Sequence, residues 1–143
     1  MLCIRTAVLD GIKTHAESSA DECCGFLFGY DTDCTRNVTE VLAVANVTPG
    51  DKRRNFEIAS KDYLNAEKHA DQAHLQLLGV YHSHPEHSAF PSEYDRILAL
   101  PDFSYIIVSV KSRLTDDVRS WRLTVGNFFE EEQIQITDSP YDL

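Results

Sequence analysis

The sequence predicts a single α/β domain, and three observations carry that reading. Apolar, β-rich runs at 22–30, 39–47, 78–81, 104–110 and 118–125 are separated by three segments of helical spacing. At 143 residues the chain can bury one substantial core without staples. It also shows no repeat, linker or low-complexity tract that would divide it. Strands interleaved with helices are the pattern of an α/β fold. The domain is read as residues 1–137, with 138–143 as a frayed C-terminal tail.

Each element has its own signal. Val8, Ile12, His15, Ala16 and Ser19 recur at helical spacing, which predicts a first helix over 7–19, broken by Ser18-Ser19-Ala20-Asp21. Glu22 to Tyr30 reads as a strand, with Gly25 and Gly29 where another group can approach the backbone. Asp31 to Asn37 is a polar turn, and the valine-rich run 39–47 is the next strand. The loop from Thr48 to Asn55 carries Pro49-Gly50 and the basic cluster Lys52-Arg53-Arg54. In an acidic protein such a cluster could hold an acidic partner, although short charge runs usually just face water. Phe56-Glu57-Ile58 predicts a short strand, and Ser60 is expected to cap a second helix to about Gln76, with Tyr63, Ala66, Ala70 and Ala73 inward. Leu78-Gly79-Val80-Tyr81 is a buried strand. A third helix is expected from Ser92 to about Leu100, with Pro101 beyond its end. The run 104–110 is apolar enough for a central strand. Residues 118–125 alternate, with Trp121 and Leu123 on one side, and are expected to pair with a last strand near 132–136.

Composition excludes some function classes. A net charge of −10 argues against nucleic acid or an anionic membrane as partner, since either calls for a basic face. No stretch reaches the length of a transmembrane helix, and Met1-Leu2-Cys3-Ile4-Arg5 lacks the apolar region of a signal peptide, so the cytoplasm is the expected location. Cys3, Cys23, Cys24 and Cys34 form no C-x-x-C pair, and adjacent Cys23 and Cys24 would face opposite sides of a strand. Reduced thiols that pack in the core are expected rather than a structural zinc site.

The chemistry concentrates at His82-Ser83-His84-Pro85 and, after a spacer ending at Pro91, Ser92 and Asp95. On a strand, residues two apart share a face, so His82 and His84 present both imidazoles to one site while Ser83 points away. On a helix, residues three apart share a face, so Ser92 and Asp95 can both look back at the strand end. Two imidazoles and a carboxylate give three N/O ligands and leave a fourth tetrahedral position open, the arrangement of a catalytic zinc. Ser92 with Asp95 is also a helix N-cap signature. The conjunction decides for a metal site, because the full spacing arises by chance at roughly one start position in a million. His15, His69 and His74 share no ligand spacing and are read as bystanders.

These residues resemble the signature of the JAMM metallopeptidases, the catalytic MPN-domain family. The resemblance extends from about Val8 to Val110, and Glu22-Cys23-Cys24-Gly25-Phe26-Leu27-Phe28-Gly29 resembles the family's upstream glutamate segment. It implies a mixed, curved sheet flanked by about three helices, a cytidine-deaminase-like architecture. It implies Zn2+ on His82, His84 and Asp95, Glu22 as proton shuttle, and Ser92 as donor to the oxyanion. From spacing alone, Glu17, Asp21 and Glu40 remain possible shuttles. The implied reaction is hydrolysis of an amide or isopeptide bond at the C-terminus of a ubiquitin-like protein. The short bacterial members that this chain resembles act on ubiquitin-like sulfur carriers, and one such activity releases cysteine. A phage-tail-type peptidase is an alternative.

Two rival classes can be weighed on residues. His84-Pro85-Glu86 matches the H-x-E of zinc nucleobase deaminases, but no cysteine follows Cys34 to supply their downstream P-C-x-x-C. A non-catalytic MPN-type binding module should lack one or more ligand residues, and here all are present. Glu86 and His87 could line the site, though nothing in the pattern requires them. Oligomeric state is not legible.

Overall fold

The computed structural model describes residues 1–138. Of the expected tail only Asp138 falls within them; 139–143 lie outside the described residues. The elements run β1 (Leu2–Arg5), α1 (Thr6–Ser18), β2 (Cys24–Thr32), β3 (Thr35–Val44), α2 (Ser60–Ala73), β4 (Gln76–Pro85), α3 (Glu93–Leu98), β5 (Ser104–Lys111), β6 (Leu114–Leu123), β7 (Phe129–Glu132) and β8 (Ile134–Thr137). The strands form one mixed sheet in the order β7-β6-β5-β4-β2-β3-β1-β8. β4 and β5 pair in parallel, while β2 is antiparallel to both its neighbours. The register shifts at Phe28/Gly29 and Leu27/Phe28 in β2 and at Ser109/Val110 in β5. Bulges of this kind bend a sheet and sharpen its twist.

The sheet is buried on both faces at its centre. Leu9, Ile12 and Ala16 of α1 pack with Leu27, Tyr81, Ile106 and Val108 on one side. Ala66 and Ala70 of α2 pack with Phe26, Phe28, Val80 and Tyr105 on the other. Cys23 and Cys24 are both buried and fall into these two opposite clusters, as their adjacency requires; Cys34 is exposed instead. Two glycines mark close approaches. A Cβ on Gly79 would stand 1.8 Å from the Ser104 carbonyl oxygen, and one on Gly25 would stand 2.2 Å from the Tyr81 ring.

Five local expectations are corrected. Residues 2–5 form a strand that the opening of the chain did not announce, and it pairs in parallel with both β3 and β8. The expected last strand is two: β7 pairs with β6, whereas β8 crosses to the far edge beside β1. Phe56-Glu57-Ile58 is not in a strand: the Glu57 N–H donates to Asn46 Oδ1, and the Glu57 carbonyl accepts an isolated backbone bond from the Val47 N–H that does not continue as a ladder. Ala59, not Ser60, is the N-cap of α2, and no side-chain bond caps it; the helix ends at Ala73, with His74 left-handed at φ 56°. Ala73 itself faces solvent, three positions past Ala70 and off the inward stripe of Ala66 and Ala70.

Candidate metal centre

β4 continues past Tyr81 through both histidines, held between β2 and β5, with Cys24 opposite His82 and Ile107 on its other side. Ser83 points to the other face, where its hydroxyl oxygen accepts a hydrogen bond from the Cys23 N–H at 2.9 Å. The Ser83 N–H in turn donates to the Cys23 carbonyl, so Glu22-Cys23 is locked beside the histidine strand. α3 starts next to the same strand end through a capping box. Ser92 Oγ accepts from the Asp95 N–H at 3.0 Å, and the Ser92 N–H donates to Asp95 Oδ2 at 2.9 Å. The Trp121 indole N–H, bonded to the Ala89 carbonyl at 3.0 Å, fixes the segment between β4 and α3.

These supports bring four buried side chains together. Ligand-type atoms of Glu22, His82, His84 and Asp95 all lie within 4.8 Å of one another. His82 Nε2, His84 Nε2 and Asp95 Oδ2 form a triangle with sides of 3.2, 3.3 and 3.1 Å. Ligands about 2.0–2.1 Å from a tetrahedral zinc stand roughly 3.3 Å apart, so the triangle has the right size. The tautomer is also right: His84 Nδ1 lies 2.7 Å from the Ser88 carbonyl, which can only accept, so that nitrogen carries the proton and Nε2 offers a lone pair. Glu22 Oε1 and Oε2, Asp95 Oδ1 and His82 Nδ1 are buried without hydrogen-bond partners. Buried polar atoms left unpaired are costly, and a cation among them would offset that cost. The donor set fits a divalent metal.

The electrostatics agree with the geometry. Burial pushes the Glu22 carboxyl up to about 9, helped by the negative charge of Asp95. A cation in the cluster opposes both causes. Burial alone would raise Asp95, but the His82 and His84 imidazoles outweigh it and hold the carboxyl well below the usual carboxylate range. Burial also lowers His82, against the opposing pull of Asp95, which favours the neutral, ligating ring.

Other residues complete the surroundings. Phe56 stacks on His82, with ring centroids 4.3 Å apart, and His87 stacks on His84 at 4.0 Å. His87 Nε2 is 3.7 Å from Glu22 Oε2. Asn46, which no motif flagged, uses its full bonding capacity: Nδ2 donates to the carbonyls of Glu22 and Asn55, and Oδ1 accepts from the N–H groups of Thr48 and Glu57. In the sequence it falls inside the run 39–47 read as a strand, so nothing there marked it; the structure ends that strand at Val44. Glu17 lies away from the cluster, bonded to Thr115; Glu40 pairs with His69 and His15 with Tyr81. Two clefts flank the cluster. One of about 380 Å³ is lined by His82 and Asp95 with Phe56, Ile58 and Tyr63. The other, of about 700 Å³, opens on the far side of His87.

Comparison with known proteins bears on the family and the fold. The family described as prokaryotic homologs of the JAB domain matches residues 5–124. A desampylase of Haloferax volcanii is 32% identical over 133 residues, which is 89% of this chain and 90% of that protein. A CysO-cysteine peptidase of Mycobacterium tuberculosis is 28% identical over 133 residues, 92% of this chain and 88% of that one. The solution structure of a Desulfitobacterium hafniense protein superposes with a TM-score of 0.85 at 26% identity, covering 97% of this chain and 94% of that one.

Proposed function

The chain belongs to the prokaryotic JAB-domain family, and on that premise we propose that it is a zinc metallopeptidase of JAMM type. In this reading it hydrolyses an amide or isopeptide bond at the C-terminus of a ubiquitin-like sulfur carrier, with cysteine one candidate for the residue released. The observation that carries the reading is the buried cluster of Glu22, His82, His84 and Asp95, with three ligand atoms at tetrahedral spacing and a fourth group left unpaired. The names of the relatives, a desampylase and a CysO-cysteine peptidase, support the choice of substrate class.

His82, His84 and Asp95 would hold the zinc. Bound there, zinc supplies Lewis acidity that makes a water nucleophilic near neutral pH. Glu22, outside the ligand triangle, accepts the attacking water's proton at one of its unpartnered Oε atoms and returns it to the departing amine. Ser92 Oγ already accepts from the Asp95 N–H, so its own O–H remains free to donate to the oxyanion. Phe56 excludes water from one face of His82. The carrier tail enters through the cleft lined by Phe56, Ile58 and Tyr63. No helix among the described residues is long and apolar enough to cross a membrane, and the cytoplasm is the compartment proposed.

The test is metal analysis together with product mass. Purified protein should hold about one zinc per chain and shorten a ubiquitin-like sulfur carrier bearing a C-terminal adduct. His82→Ala and Asp95→Ala should lose both the metal and the activity, because three protein ligands leave none to spare. Full zinc occupancy in both variants would sink the ligand assignment.

A further inference from the structure

The spacer between His84 and Ser92 holds one more imidazole, His87, that the ligand spacing does not call for and the chemistry above does not use. Its outer edge lines the larger cleft, but its Nε2 is buried without a hydrogen-bond partner, and so are both oxygens of the Glu22 carboxylate. The unpaired groups face each other, with His87 Nε2 3.7 Å from Glu22 Oε2. That gap is about 0.5 Å beyond a hydrogen bond, so small side-chain rotations would close it. Hydrogen bonds in catalytic sites are often long until substrate is bound. No other ion pair among the described residues uses Glu22.

The position of this ring is built rather than incidental. Pro85 ends β4, and Glu86 turns the chain at φ 63°, a left-handed conformation uncommon outside glycine. Such a conformation persists where its surroundings over-determine it. Here the Glu86 N–H donates to the Val110 carbonyl at 2.7 Å, and Glu86 Oε1 accepts from the Ser112 N–H at 2.8 Å. The His87 carbonyl then accepts from the Ser109 hydroxyl at 2.6 Å. The ring itself lies on His84, 14° from parallel. Since the Ser88 carbonyl holds His84, one short turn orients both a ligand and the group that faces the proton shuttle.

An imidazole nitrogen can donate or accept, and its neighbour decides which. A carboxylate ionised to act as a base can only accept, so it selects the tautomer with the proton on Nε2. Donation to Oε2 fixes the rotation of the Glu22 carboxylate and leaves Oε1 as the more basic oxygen. Covering His84 needs no nitrogen at all, since a phenyl ring would stack there equally well.

We propose that His87 is a positioning residue, whose Nε2–H holds Glu22 Oε2 so that Oε1 takes the proton of the attacking water. This rests on the peptidase reading and deepens it. In the step itself, Oε1 accepts the proton as water's oxygen joins the acyl carbon. The C–N bond then breaks, and the same proton passes to the leaving nitrogen. His87 gives up no proton.

The experiment compares zinc-loaded wild type, His87→Phe and His87→Gln on a ubiquitin-like sulfur carrier bearing a C-terminal adduct. His87→Phe keeps the stack on His84 and lacks the N–H, whereas His87→Gln lacks the stack and can bring an amide N–H to where Nε2 stands. His87→Phe should keep its zinc and lower kcat by about tenfold or more with KM little changed, the scale of a hydrogen bond to a charged group. His87→Gln should recover most of that loss. Wild-type kcat in His87→Phe would overturn the proposal and leave the ring as a cover for His84. Equal losses in the two variants would overturn it too, while the peptidase reading survives. If wild type cleaves no carrier, the peptidase reading falls and this inference with it. The tautomer gives a readout without turnover. In isotope-labelled, zinc-loaded protein, nuclear magnetic resonance of the His87 ring should place its proton on Nε2, and Glu22→Ala should weaken that preference. A proton on Nδ1 in wild type, or a preference that Glu22→Ala leaves unmoved, would equally overturn the proposal.

Discussion

Glu22 and Ser92 are where single side chains make separable predictions. Glu22→Gln keeps a neutral group of the same shape outside the ligand triangle, so zinc and fold should be retained. Turnover should fall by about 100- to 10,000-fold, since an amide cannot accept the water's proton. The same variant predicts a pH effect in protein stripped of metal. Burial raises the folded Glu22 carboxyl from 4.5 to about 9, so between those values the unfolded chain binds fewer protons and stability falls as pH rises. The stability is fully present below 4.5 and lost as pH climbs through about 9. At pH 7 the loss is about 3 kcal/mol. His15, His82 and His87, held below their usual range chiefly by burial, push the other way in both proteins. Urea unfolding of stripped protein at pH 5 and pH 8 should therefore show wild type losing stability relative to Glu22→Gln; parallel behaviour would place the carboxyl in a different environment. For Ser92 the cap and oxyanion roles diverge. Loss of a cap costs about 1 kcal/mol with little change in rate, whereas loss of an oxyanion donor costs about 100- to 1000-fold in rate. The capping box establishes the cap, and the proposed oxyanion role uses the hydroxyl proton that the cap leaves free, so Ser92→Ala should melt earlier and also cleave at least about 100-fold more slowly. Normal cleavage by a less stable variant would reduce Ser92 to a cap.

At the scale of elements, the site was legible where its spacing is local. The strand period brings His82 and His84 together, and the first turn of α3, capped by Ser92, brings Asp95 to them. Glu22 was harder to find, because it reaches the cluster only through β2 pairing with β4, which no fixed spacing encodes. The loop between β3 and α2 was misread in part. Phe56 to Ile58 has strand composition, but its neighbour is the Asn46 side chain together with one backbone bond from the Val47 N–H, not a paired strand. That clamp makes its own prediction. By gripping the Asn55 carbonyl and the Glu57 N–H, Asn46 brackets Phe56 over His82, and its third bond goes to the Glu22 carbonyl. Asn46→Ala should therefore cost about 1–3 kcal/mol in stability. It should lower kcat/KM by about tenfold or more while zinc stays bound, since a 1 Å misplacement can cost about 100-fold. If Asn46→Ala melts earlier but keeps wild-type kcat/KM, the clamp serves only the loop's stability.

At the scale of the whole molecule, the question is how far the fold depends on the site it carries. The class, a single α/β domain with three helices, was readable from alternating patterns, and the mixed sheet followed only from the family resemblance. The placement of β1 and β8 was not, because the two ends of the chain meet in parallel register across more than 130 residues, Leu2 beside Ile134. Pairings of that kind leave no local trace. They do imply that the sheet closes on its own contacts. The two main clusters pack α1 and α2 against opposite faces of the central strands and include none of the four metal-site side chains. Stripping zinc should therefore leave a folded protein, unlike a zinc finger, whose fold is its metal site. Far-UV circular dichroism should be retained after chelation, and unfolding should remain a single cooperative transition. The metal still binds only the native state, so free zinc at about 1000 times its Kd adds about 4 kcal/mol. For a chain of this size that raises Tm by about 10 °C or more. In His82→Ala, which lacks a ligand, added zinc should leave Tm where it was. Loss of the sheet signal on chelation would show instead that the cluster holds β2, β4 and α3 together, and that the two cores do not suffice.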